Sequence, residues 1–125
     1  MSIRGIGTDI VEIERIEKQK PAFFERVFTP AEIAYCRSQA QPALHFAARF
    51  AAKEAAVKAL NWIGRTPTIT QIEVVRDEES GAPALKIVPG HYGEDPPAVP
   101  VGLRLHVSLS HEKSHAVATV VAEEL

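Results

Sequence analysis

A chain of 125 residues with 46% hydrophobic content is long enough for one core, so a single domain over residues 1–125 is expected. Its formal net charge of -2 gives no basic field for nucleic acid or an anionic membrane, and no apolar run is long enough for a membrane span. The single cysteine, Cys36, excludes an internal disulfide and a CxxC metal site and points to a reducing, cytoplasmic compartment.

The N-terminal Met-Ser-Ile-Arg-Gly lacks the apolar run of a signal peptide. Residues 3–9 read as a short strand whose glycines let another backbone come close. Residues 11–18 read as an amphipathic helix, with Val11 and Ile16 inward and Glu12, Arg15 and Lys18 in water. Pro21 opens a short aromatic segment, Phe23 to Phe28. Thr29-Pro-Ala-Glu32 is a helix start: Thr29 caps, Pro30 suits the first helical position, and Glu32 completes a capping box. That helix is expected to run to about Ser38, with residues 39–42 as a connection.

A long central helix is expected over residues 44–61. Phe46, Phe50, Val57 and Leu60 cluster on one side of the helical wheel, alanines fill much of the rest, and Asn61 and Gly64 are stop signals. Residues 68–75 and 84–88 read as strands around a turn at Glu78-Glu-Ser-Gly81. Three prolines and two glycines make residues 90–100 a loop. Residues 103–109 and 116–121 are the last strands. Helices early and strands late argue an α+β fold, with the long helix packed on an antiparallel sheet.

Within the long helix, Glu54 lies one turn before Lys58, so the two share a face. Alanines beside them leave room for close approach. Asp9 follows Gly5-Ile-Gly-Thr. Two acids and a lysine suit a divalent cation and phosphate, because Mg²⁺ favours hard oxygen ligands and is often held by one or two carboxylates plus substrate phosphates. An internal ion pair of Glu54 with Lys58 or Arg49, with Asp9 capping the following helix, explains the same residues equally well. Lys53, on the phenylalanine side of the wheel, is expected to snorkel. Cys36 reads as an ordinary helix residue rather than a nucleophile.

In His106-Val-Ser-Leu-Ser-His111 strand alternation puts the two histidines on opposite faces. There is no Gly-x-Ser-x-Gly elbow for a hydrolase, and the other histidines lack zinc spacing. Arg15, Lys18, Lys20 and Arg26 form a modest basic group, interleaved with Glu12, Glu14, Glu17 and Glu25. By composition it reads as a solvated face.

Four segments, in order, carry a resemblance: residues 5–16 (Gly-Ile-Gly-Thr-Asp-Ile-Val-Glu-Ile-Glu-Arg-Ile), 26–32 (Arg-Val-Phe-Thr-Pro-Ala-Glu), 46–60 (Phe-Ala-Ala-Arg-Phe-Ala-Ala-Lys-Glu-Ala-Ala-Val-Lys-Ala-Leu) and 106–111. Together they resemble the small bacterial 4′-phosphopantetheinyl transferases of the holo-[acyl-carrier-protein] synthase type. The resemblance implies transfer of the 4′-phosphopantetheine arm of coenzyme A to a serine of apo acyl carrier protein, with release of adenosine 3′,5′-bisphosphate. By motif, Asp9 and Glu54 would hold Mg²⁺, and Lys58 would steady phosphate charge or assist the leaving group. Arg49, Ser110 and His111 would line the coenzyme A site, and Arg15 would dock the acidic carrier protein. The resemblance also implies a homotrimer with sites between subunits. The nucleophile belongs to the partner, so none is expected here. Val11 stands where related synthases of another class place a third acid, so water is expected at that coordination position. A non-catalytic nucleotide- or RNA-binding module would need a basic, aromatic-studded sheet face, which these strands lack. A structural subunit with a silent metal site is the third reading.

Overall fold

A computed structural model describes residues 1–125. Strand β1 (Ser2–Glu12) leads into helices α1 (Ile13–Glu17), α2 (Pro21–Val27), α3 (Pro30–Arg37) and α4 (Pro42–Ala59). A short 3₁₀ turn (Ile69–Gln71) precedes the hairpin β2 (Ile72–Arg76) and β3 (Pro83–Ile87), and the hairpin β4 (Leu103–His111) and β5 (His115–Glu124) ends the chain. The strands form two antiparallel sheets, β1-β5-β4 and β2-β3, so the expected α+β class holds.

The central helix lies across the three-stranded sheet because both surfaces are stripped to small side chains. Ala47, Ala51, Ala52, Ala55, Ala56 and Ala59 of α4 are buried against a sheet face carrying Ala116, Ala118 and Ala122. Gly5 and Gly7 complete the contact. A Cβ built on Gly7 would lie 2.0 Å from the Ala55 carbonyl oxygen, and one on Gly5 2.0 Å from that of Ala59. Only glycine lets the two backbones come this close. On another flank of α4, Phe23, Phe24, Phe28, Phe46 and Phe50 form an edge-to-face cluster, with Phe24 and Phe46 centroids 4.7 Å apart.

Several element boundaries differ from expectation: α4 begins at Pro42, and the last two strands extend to His111 and Glu124. The first strand does not stop at residue 9. Ile10, Val11 and Glu12 pair with Val117, Ala116 and His115, and the Ile13 amide donates to Ser114 O at 2.8 Å. Only Ile13–Glu17 is helical, since the β-branched pair Ile10-Val11 has a sheet edge to join. Residues 69–71 form a 3₁₀ turn stabilised by a Thr68–Gln71 capping box, so that strand begins at Ile72. The Thr29–Glu32 capping box forms as expected, with the Glu32 amide donating to Thr29 Oγ1 at 3.2 Å and the Thr29 amide to Glu32 Oε1 at 2.8 Å. The loop after β3 is anchored at Asp95, whose carbonyl accepts from Arg65 and from the Gln71 side chain, both at 3.0 Å. No helix is long and apolar enough to cross a membrane.

Candidate active site

The close β1–α4 contact determines where the acids fall. Asp9 sits two residues after Gly7, on the sheet face that meets α4, opposite Ala118. It lies inside the strand and caps no helix; Glu12 occupies the cap position of α1. Lys58 reaches across from α4 and donates to the Thr8 carbonyl at 2.9 Å and to Asp9 Oδ1 at 3.3 Å. The Asp9 side chain is 19% exposed and that of Lys58 54%. The expected alternative of a Glu54 ion pair with Lys58 or Arg49 is not what forms: the ammonium turns to the strand with two contacts and stays half-exposed. Glu54, half-buried one turn before Lys58, is left without an ion pair.

Asp9 therefore meets Lys58 at the strand–helix contact, and Glu54 lies one turn before Lys58 on the same flank of α4. Two carboxylates without further His, Cys, Asp or Glu nearby do not make a closed protein cage. They do suit a hard cation that keeps waters and takes the rest of its shell from a phosphate.

Lys53 does not snorkel. Its ammonium is fully buried and pairs with Glu32 Oε1 at 2.5 Å, while Glu32 Oε2 accepts from the Val74 amide at 2.7 Å. Burial pushes the Lys53 ammonium pKa down, and the Glu32 carboxylate pulls it back up. The reason lies outside the helix. Glu32 is held inward by its capping box, and a buried carboxylate needs a cation. Nearby, burial pushes the Cys36 thiol up to about 11, which fits a packing residue and not a nucleophile.

Arg49 is buried beside the same layer, with its guanidinium 4.1 Å from the centroid of the Tyr35 ring. At 3.6 residues per turn, Arg49 and Glu54 are about 140° apart around α4, on different flanks. Ser110 and His111 also part company. Ser110 pairs with Val117 on the outward sheet face, while His111 pairs with Ala116 on the face toward α4. His106, opposite Val121, faces outward, so the two histidines are divided as expected. A wide cleft of about 760 Å³ lies at His111, lined by Ile13, Glu17, Pro42, Leu44 and Lys113 rather than by Asp9 or Lys58.

Arg15 is exposed on α1. Beside it Lys18 pairs with Glu14 at 2.7 Å, which takes one charge of the basic group out of play. Sequence reasoning passed over Tyr35, Arg76 and the Thr8 carbonyl. The backbone acceptor carries no sequence signal, and the aromatic–cation contacts join residues distant in the chain.

The fold and these side chains define an α+β protein in which Asp9 on a strand meets Lys58 on the central helix, with Glu54 one turn earlier on that helix. Residues 5–120 match the model of the 4′-phosphopantetheinyl transferase superfamily. The chain is 42% identical to the holo-[acyl-carrier-protein] synthase of Syntrophus aciditrophicus (strain SB), covering 98% of each. It is 44% identical to that of Thermodesulfovibrio yellowstonii (strain ATCC 51303 / DSM 11347 / YP87), covering 95% of this chain and 97% of the other. Among solved structures, a holo-(acyl-carrier-protein) synthase from Bacillus anthracis str. Ames, in complex with CoA (3′,5′-ADP), superposes with a TM-score of 0.76 at 35% identity over 98% of each chain. The chain belongs to the 4′-phosphopantetheinyl transferase superfamily.

Proposed function

We propose that this chain transfers the 4′-phosphopantetheine arm of coenzyme A to a serine of apo acyl carrier protein, using Mg²⁺ held at Asp9 and Glu54. The observation that carries the reading is the Lys58 ammonium fixed on Thr8 and Asp9, one turn from the unpaired Glu54. A bound divalent cation would neutralise pyrophosphate charge there. The serine oxygen forms a bond to the β-phosphorus as the bond from that phosphorus to the bridging oxygen breaks. Adenosine 3′,5′-bisphosphate leaves with the electron pair, and Lys58 stabilises the charge arriving on its oxygen. Glu54, with no internal partner, takes the serine proton.

Coenzyme A contacts are assigned to Arg49, Ser110 and His111, and the carrier-protein contact to Arg15. Two features support assembly as a homotrimer with shared sites. Arg49 and Glu54 occupy different flanks of α4, so one coenzyme meets both more readily across two copies. The outward sheet face exposes Ile3, Ile6 and Ile10, each more than 60% accessible, beside Val117 and Val121. Contiguous apolar surface of this kind marks an interface. The reducing interior of the cell suits the lone thiol, so cytoplasmic residence belongs to the same reading, as does a single domain over residues 1–125.

Intact-mass analysis of apo carrier protein with coenzyme A and Mg²⁺ tests the reaction. A gain of one phosphopantetheine mass is expected. An unchanged mass under conditions where an established transferase modifies the same carrier rejects it.

A further inference from the structure

The Asp9 carboxylate has a single partner in the fold, the Lys58 ammonium. That ammonium is shared unevenly. It donates to the Thr8 carbonyl at 2.9 Å and to Asp9 Oδ1 at 3.3 Å. The bond to the neutral carbonyl has an ordinary length, whereas the ion pair is longer than the roughly 2.8 Å of a close charged contact. Lys58 is half-exposed and makes no third contact. The Lys53–Glu32 pair on the same helix is the opposite case, closed to 2.5 Å with both side chains fully buried. One pair is locked by its surroundings, and the other is free to open.

Two cations drawn to one carboxylate repel each other. A divalent cation taken by Asp9 therefore has to displace the ammonium. Lys58 can yield without leaving the strand, because its shorter bond, to Thr8, persists while the longer contact to Asp9 opens. Its stem is flexible and its three protons turn freely, so an ammonium put out of reach of Asp9 is available to an anion beside it.

We propose that Lys58 is a resident counter-ion of Asp9, displaced by the divalent cation and handed to the phosphate, so that the site suppresses binding of the bare cation and couples cation to substrate. The assignment rests on the transferase reading, which puts the cation at Asp9, and adds a switching role to Lys58. Linkage gives the sign of the coupling: whatever the ammonium subtracts from cation affinity is restored when phosphate takes the ammonium.

The test is calorimetric binding of Mn²⁺ alone to the full chain, with no coenzyme present. Lys58→Met removes the charge at a half-exposed helix position and is expected to melt like wild type. It should bind Mn²⁺ at least about fivefold tighter than wild type, the low end of coupling between sites because the pair is partly in water. Lys58→Arg, which keeps the charge, should show no such gain. Lys58→Gln serves by the same criteria where Lys58→Met fails to fold. In wild type the Lys58 Cε–Hε NMR signal, assigned by its loss in Lys58→Arg, should move as Mg²⁺ is added, while those of Lys86 and Lys113 stay. Equal or weaker Mn²⁺ binding in Lys58→Met, an equal gain in Lys58→Arg, or an unmoved Lys58 signal overturns the switch. Asp9→Asn separates this from failure of the functional reading. Loss of Mn²⁺ there, with no gain in Lys58→Met, overturns the switch alone. Wild-type binding by Asp9→Asn removes the cation from Asp9 and takes the switch with it. If neither wild type nor Lys58→Met binds Mn²⁺, the lysine is not what limits the cation and the switch falls, while the carrier mass still decides the transferase reading.

Discussion

Gly7 and Ala55 lie so close that a single added Cβ would sit 2.0 Å from the helix carbonyl, and this contact sets the distance from Asp9 to the flank of α4 that carries Glu54 and Lys58. The carboxylate on the strand and the lysine on the helix can meet only because no side chain separates their backbones.

Gly7→Ala should therefore damage fold and site together. Forcing strand and helix apart is expected to cost about 1–3 kcal/mol, the usual range for overpacking. Urea unfolding would read the loss, and turnover should fall by more than the unfolded fraction explains. A variant with unchanged midpoint and rate would mean that β1 shifts freely.

Glu54→Gln should separate chemistry from stability. The side chain has no ion pair to lose, so stability should stay within about 0.5 kcal/mol of wild type. Arm transfer should drop about 10²–10³-fold, as when one transition-state contact is removed. Near-normal turnover would take Glu54 out of the mechanism.

Lys53→Met should destabilise strongly although it replaces one buried chain with another of similar size. It strands the Glu32 carboxylate, which retains the Thr29 and Val74 amides but loses its cation. Breaking a buried pair in this way costs about 3–5 kcal/mol. A shift under about 1 kcal/mol, the scale of an exposed ion pair, would show that the pair is dispensable.

The turn between β4 and β5 should respond to acid through Glu112. Its carboxylate is held down to about 2 chiefly by the Ser114 hydroxyl, then by the Ser114 and His115 amides. A carboxyl depressed in the folded chain stabilises it above the unfolded value and ceases to do so as pH falls through the folded one. The turn should thus loosen between about pH 4.5 and about 2. Carboxyl NMR titration should place the midpoint near the lower figure, and Ser114→Ala should raise it. An ordinary midpoint in wild type would remove the latch.

Arg15→Glu should raise KM for the carrier protein about tenfold and leave that for coenzyme A unchanged, with the difference shrinking as salt screens the contact. A carrier KM insensitive to both changes would move the docking surface elsewhere.

What the sequence determined by itself was local. The Thr29–Glu32 box, the alanine-rich central helix and the late strands follow from neighbours three or four residues apart, and those interactions form wherever the chain goes. The alternation in residues 106–111 likewise divided the two histidines correctly. Tertiary structure decided the rest. It extended β1 to Glu12, because Ala116 and His115 offer a ladder that residues 10–12 join, and it turned Lys53 from an expected surface side chain into the counter-ion of Glu32. It also gave Lys58 to Asp9 rather than to Glu54 and brought Arg76 to the ring that Arg49 covers. A charge settles where its nearest partner and the local exposure make it most stable, and both are set by segments dozens of residues away.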